Sequence, residues 1–136
     1  MSRFRLVSAL ATVAILVALG GCGSGEGDGS TSKTTAPTSQ ALTVTANAKG
    51  EPKFDQATLN ATAGPVVITM MNPQSSGEKH GIGIQGPGVS VDGGTVKPGR
   101  SSSLSITLKP GTYTFYDPAG GNRKAGMKGT LVVVKK

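Results

Sequence analysis

The chain has 136 residues, 36% hydrophobic and 4% aromatic with no Trp, which allows one small domain with a modest core and excludes an elaborate multi-domain enzyme. Its 21 Gly and 8 Pro point to many turns or a disordered stretch rather than long helices. A formal charge of +7 is moderately basic and suits an anionic membrane or polymer, whereas so few aromatics to stack on bases argue against nucleic acid.

At the N-terminus, Arg3 and Arg5 precede an apolar run, Leu6–Leu19, that is broken only by Ser8 and Thr12 and is followed by Leu19-Gly20-Gly21-Cys22. This order of cations, apolar run and small residues predicts a secretory signal peptide over residues 1–21. The run is shorter than the roughly 20 residues a permanent membrane-spanning helix needs. Loss of Arg3 and Arg5 with the signal leaves a net charge of +5. Cys22 is the only cysteine, so an intramolecular disulfide and a multi-cysteine zinc or iron–sulfur site are excluded.

Leu-Gly-Gly-Cys resembles a bacterial lipobox. The resemblance implies that Cys22 becomes the lipid-modified first residue of the mature protein and holds it to the extracytoplasmic face of the cell membrane. An ordinary cleavable signal with a chance cysteine is the plainer alternative. Residues 22–40 then form a linker: Gly23–Gln40 alternates glycine with small polar groups, lacks a large apolar residue, and cannot offset the entropy of folding. As a flexible coil it holds the domain roughly 20–25 Å from its anchor. The folded unit is expected over residues 41–136.

Within that unit the apolar period is two. Leu42, Val44 and Ala46 alternate with Thr43, Thr45 and Asn47, and Leu104, Ile106 and Leu108 alternate with Ser103, Ser105 and Thr107. Further strands are expected over Thr58–Thr62, Pro65–Met71, His80–Gln85, Thr112–Tyr116 and Gly129–Val134. Turn chemistry separates them, including Gly86-Pro87-Gly88, Asp92-Gly93-Gly94, Pro98-Gly99 and Pro110-Gly111. No stretch sustains a helical period. The pattern predicts an all-β, two-sheet sandwich with Greek-key connections and about seven or eight strands.

Three segments carry a family likeness: Val96-Lys97-Pro98-Gly99 with Leu104–Leu108 and Pro110–Tyr116, then Gly126–Val133, and Pro65–Asn72 followed by Lys79–Ile84. Together they resemble cupredoxins, the small blue-copper β-sandwiches, over nearly the whole of residues 41–136. The resemblance implies a copper held by a histidine after a mid-chain strand and by a Cys, a His and a Met on one C-terminal loop. His80 falls on the first histidine and Met127 on the axial methionine. Asp117 stands where the cysteine belongs and Asn122 where the second histidine belongs, with four residues between each pair of loop positions. A type 1 centre needs a thiolate, so the family's electron-transfer chemistry is not carried over.

Strand parity puts Tyr113, Phe115 and Asp117 on one face, which aims a carboxylate into the end of the sandwich. Three readings follow. A His80–Asp117 pair or an Asp117–Asn122 network offsets the cost of burying that carboxylate and is purely structural. Alternatively His80, Asp117, Asn122 and Met127 form a mixed, low-affinity site for copper or zinc. Thirdly, Lys79, Arg123, Lys124 and Lys128 form a basic rim around a polar pocket and bind an anionic envelope polymer, a lipid headgroup or an acidic partner protein. Met70 and Met71 read as core filler and surface neighbour of one strand rather than a soft-metal cluster. The chain holds no Walker loop, H-E-x-x-H or G-x-S-x-G motif, and no enzymatic activity is expected.

Overall fold

The computed structural model describes residues 38–136; the expected signal peptide, Cys22 and the linker up to residue 37 lie outside the described residues. Eight strands run in chain order: β1 Gln40–Thr45, β2 Thr58–Thr62, β3 Gly64–Asn72, β4 His80–Gly86, β5 Val89–Val96, β6 Arg100–Leu108, β7 Gly111–Tyr116 and β8 Lys128–Val134. A single helical turn, α1 (Asn122–Ala125), lies between the last two. The strands form a three-stranded sheet, β1-β3-β6, and a five-stranded sheet, β2-β8-β7-β4-β5. The expected all-β, two-sheet fold is therefore the observed one.

The alternation of side chains explains the layers. Val44, Ile68 and Met70 point inward from the small sheet, and Ile82, Ile84, Phe115 and Leu131 meet them from the large one, all essentially without solvent exposure. Full burial of each such side chain contributes about 1.5–3 kcal/mol. Phe54, brought in by a bridge between Ala46 and Phe54, stacks at a tilt on Phe115 with ring centroids 5.4 Å apart. Met70 is buried while Met71 is 51% exposed, as adjacent residues of one strand should be.

Both open sides of the sandwich are sewn by side chains that stand in for a missing strand. On one side the Gln40 amide donates to the Thr62 carbonyl at 2.7 Å and accepts from the Thr62 N–H at 2.8 Å, tying β1 to β2. Nearby, the Thr45 N–H donates to Asp55 Oδ1 at 2.7 Å and the Asp55 N–H donates to the Thr45 carbonyl at 2.9 Å. On the other side Ser102 Oγ on β6 donates to the carbonyls of Gly93 and Gly94 on β5. Exposed strand edges template aggregation, and these contacts cover them.

Two expectations need correction. β1 begins at Gln40, one residue inside the expected linker, because the Gln40 side chain has a partner across the sheet edge. Asp92-Gly93-Gly94, expected as a turn, lies inside the unexpected strand β5. There the pairing with β4 slips between Gly81 and Gly83, so the glycines serve a bulge rather than a chain reversal. Gly94 has φ +79°, and a Cβ on Gly93 would come within 2.9 Å of the Ser103 carbonyl oxygen, so neither position accepts a larger side chain without rearrangement.

Candidate functional site

The central strands β4, β7 and β8 bring the sequence-predicted residues to one end of the sandwich. His80 opens β4, Asp117 follows the last residue of β7, Asn122 opens α1 and Met127 immediately precedes β8. His80 is 1% exposed, and Asp117 and Met127 are fully buried. The turn that carries them is closed on its own backbone: the Asp117 N–H donates to the Met127 carbonyl at 3.0 Å, and the Met127 N–H to the Asn122 carbonyl at 2.9 Å.

A carboxylate in such a place is tolerable only if its lone pairs are used. All of them are used here. Oδ1 accepts from the Gly81 N–H and the Ala119 N–H, each at 2.9 Å. Oδ2 accepts from His80 Nδ1 at 2.7 Å and from Asn122 Nδ2 at 2.8 Å. Four donors from two chain segments, the start of β4 and the loop after β7, thus converge on one side chain. With Nδ1 carrying the donated proton, the other imidazole nitrogen, Nε2, is buried without a hydrogen-bond partner.

This arrangement tests whether a copper centre fits. Ligand nitrogen and oxygen atoms sit about 2.0–2.2 Å from a tetrahedral ion, which places two of them roughly 3.3–3.5 Å apart. The 2.7 Å approach of His80 Nδ1 to Asp117 Oδ2 leaves no space for an ion between them. The described residues contain no thiol and only one imidazole, and no group of three or more His, Cys, Asp or Glu is gathered anywhere among them. The donor set does not fit a type 1 centre.

The four expected rim cations do not surround one pocket. Lys79 lines a cleft of about 520 Å³ with Glu78, Thr95, Pro118, Ala119, Gly120 and Asn122, so an acid stands beside the only cation there. Arg123 instead turns to the outer face of the large sheet. Its guanidinium lies 3.9 Å above the centre of the Tyr116 ring, and its Nη2 donates to Gln85 Oε1. Lys124 and Lys128 are exposed, and Lys128 lies opposite Tyr116 in the β7–β8 register.

Sequence reasoning missed Tyr116, Asp92 and Gln85. The Tyr116 ring lies across Gly83, where a Cβ would come within 2.8 Å of the ring, and its hydroxyl donates to Asp92 Oδ1 at 2.7 Å. A glycine in register with an aromatic residue was the available signal.

The phenol's pKa is raised above its ordinary 10.0 by the hydrogen bond to Asp92, then by burial and by the negative charge of Asp92, with Arg123 pulling the other way. Because the folded value exceeds the unfolded one, the associated stability is present below pH 10 and is lost as pH rises through the folded value. In a Tyr113→Phe background, absorbance titration should show Tyr116 ionising above pH 10, and Asp92→Ala should lower that midpoint. An unchanged midpoint would remove Asp92 as the cause.

No protein-family model and no curated protein sequence matches the chain. Solved structures do. Auracyanin B matches at 24% identity over 70% of this chain and 88% of its own, with a TM-score of 0.61. Auracyanin A, a blue copper protein from the photosynthetic bacterium Chloroflexus aurantiacus, matches at 20% identity over 71% of this chain and 99% of its own, with a TM-score of 0.57.

The fold is cupredoxin-like. A copper nitrite reductase from Nitrosomonas europaea shares this cupredoxin-like fold at 21% identity and a TM-score of 0.58, over 73% of this chain but only 42% of the enzyme's. At these identities the likeness carries the architecture. The chemistry of the site rests on the side chains that this cupredoxin-like domain holds at its end.

Proposed function

We propose that the chain is a lipid-anchored, extracytoplasmic cupredoxin-like module that binds or assists a partner, without type 1 copper electron transfer and without enzymatic turnover. The observation that carries this reading is the four-fold hydrogen bonding of Asp117. The carboxylate closes the loop end of the sandwich through His80, Asn122, Gly81 and Ala119, a task that a metal ion performs where the ligands are present. The Leu-Gly-Gly-Cys sequence and the glycine-rich segment after it supply the anchor and the linker of this reading.

Calorimetric titration of the full chain with Cu(I), Cu(II) and Zn(II) tests it. No binding tighter than millimolar is expected, and no intense visible absorption with copper. Micromolar or tighter binding that disappears in both His80→Ala and Asp117→Ala would replace this reading with a second one, a weak metal site on His80, Asp117 and Met127. One observation favours that second reading: the Met127 thioether is buried at the same end of the domain as His80 and Asp117.

A further inference from the structure

The cations of the C-terminal loop have an arrangement that the basic-rim expectation did not contain. Arg123 is held from two directions, by the Tyr116 face beneath it and by Gln85 at its edge, and Tyr116 is fixed in turn by Asp92. The guanidinium is therefore ordered in the absence of any ligand, so less side-chain entropy is lost when it binds an anion. Lys128 is exposed opposite Tyr116 in the β7–β8 register, and Lys124 is exposed one residue after Arg123. None of the three has an ion-pair partner among the described residues. The one carboxylate bordering them, Asp92, already accepts the Tyr116 hydroxyl.

Beyond this cationic end the same sheet face presents a neutral polar row. Gln85, Thr114, Thr130 and Thr58 stand side by side across β4, β7, β8 and β2. From residue 38 onward the chain carries eleven Lys and Arg against five Asp and Glu, and Asp117, one of the five, is buried. We infer that the outer face of the large sheet around Arg123 and Lys128 is a docking surface for a phosphodiester polymer with a polyol backbone: the phosphates pair with the cations and the hydroxyls with the Gln/Thr row. This deepens the binding-module reading proposed above and rests on it.

Two observations select this occupant. Protein interfaces are anchored chiefly by Trp, Tyr and Arg packed into desolvated pockets, yet the chain has no Trp, Arg123 lies over the Tyr116 face, and the exposed large hydrophobics lie elsewhere. Met71 is on the other sheet, Val134 is at the far end of β8, and Val91 shares register with inward-facing Ile84. Single-stranded nucleic acid is held by open aromatic faces on which its bases stack, and Arg123 covers that of Tyr116.

The test is binding of the full chain to poly(glycerol phosphate), with phosphatidylglycerol vesicles, poly-glutamate and single-stranded oligonucleotide as the other arms. Binding should weaken as salt is raised. Arg123→Gln and Lys128→Gln should each weaken it about tenfold, the loss expected for a charged hydrogen-bonded contact, while Lys109→Gln at the opposite end of β7 should leave it unchanged. Lys128 takes no part in the Arg123–Tyr116 clamp, so its variant reads the surface even if Arg123→Gln loosens the loop. Absence of binding, equal loss in Lys109→Gln, or preference for vesicles, poly-glutamate or oligonucleotide would each overturn the inference. The metal titration decides the module reading separately, so failure of one is distinguishable from failure of the other.

Discussion

Replacing Asp117 with alanine should cost the domain about 3–5 kcal/mol, because it strands four hydrogen-bond donors, each of which costs about 1–3 kcal/mol when buried without an acceptor. The reason lies in what remains. The Gly81 and Ala119 N–H groups, His80 Nδ1 and Asn122 Nδ2 all lose their acceptor in a place that water does not reach freely. Against a total stability of 5–15 kcal/mol typical of domains, that is a large fraction. In a domain of about this size it corresponds to a fall in melting temperature of more than about 10 °C.

Asp117→Asn separates hydrogen bonding from charge. An amide oxygen in the Oδ1 position still serves Gly81 and Ala119, but the amide NH₂ then faces the Asn122 donor, and His80 must shift its proton to the partnerless Nε2 to accept from it. An intermediate loss of about 1–3 kcal/mol is expected. Urea unfolding midpoints at constant slope measure both variants. A loss below about 1 kcal/mol in Asp117→Ala would show that the loop is held by something other than this carboxylate.

How much of this was legible in the sequence depends on which atoms carried the message. Side-chain alternation announced seven of the strands, and the same parity placed Asp117 inward with Tyr113 and Phe115, all three buried in the structure. β5 was hidden because Asp-Gly-Gly has the composition of a turn, and only the pairing of Gly83 with Asp92 and of Gly81 with Thr95 reveals it as a bulged edge strand.

Within the site, the equal spacing of Asp117, Asn122 and Met127 on one loop was readable, and the resemblance to cupredoxins implied the nearness of His80. Two of the four donors to Asp117 were not readable, because they are backbone N–H groups, of Gly81 at the start of β4 and of Ala119 in the turn after Pro118, whose directions are set by the local chain path rather than by residue type. Arg123 parted from Lys79 for a similar reason. The single turn of α1, stopped at Gly126 with φ +111°, swings the Arg123 side chain over the sheet face while Asn122 stays at the cleft.

Installing a thiol at position 117 and a second imidazole at position 122 provides the second large effect. In the double variant Asp117→Cys, Asn122→His, a thiolate replaces the carboxylate and an imidazole replaces the amide, alongside native His80 and Met127. Those four positions already lie at one end of three adjacent strands, and the loop between positions 117 and 127 is closed by its own backbone hydrogen bonds. The variant removes the 2.7 Å bond that fills the space beside His80 and supplies the His₂Cys set with an axial thioether that a type 1 site requires.

Copper affinity is expected to move from millimolar or weaker to micromolar or tighter, a change of at least about a thousandfold, or roughly 4 kcal/mol. An intense blue absorption should appear with it. The single variants discriminate: Asp117→Cys alone should bind copper weakly with an unstable colour, and Asn122→His alone should stay colourless because it lacks the thiolate. If the folded double variant takes up no copper, the loop does not hold positions 80, 117, 122 and 127 at ligand distance, and the likeness to cupredoxins would stop at the strands. If it turns blue, the architecture is competent for the metal, and the two replaced side chains are what separates this domain from a copper carrier.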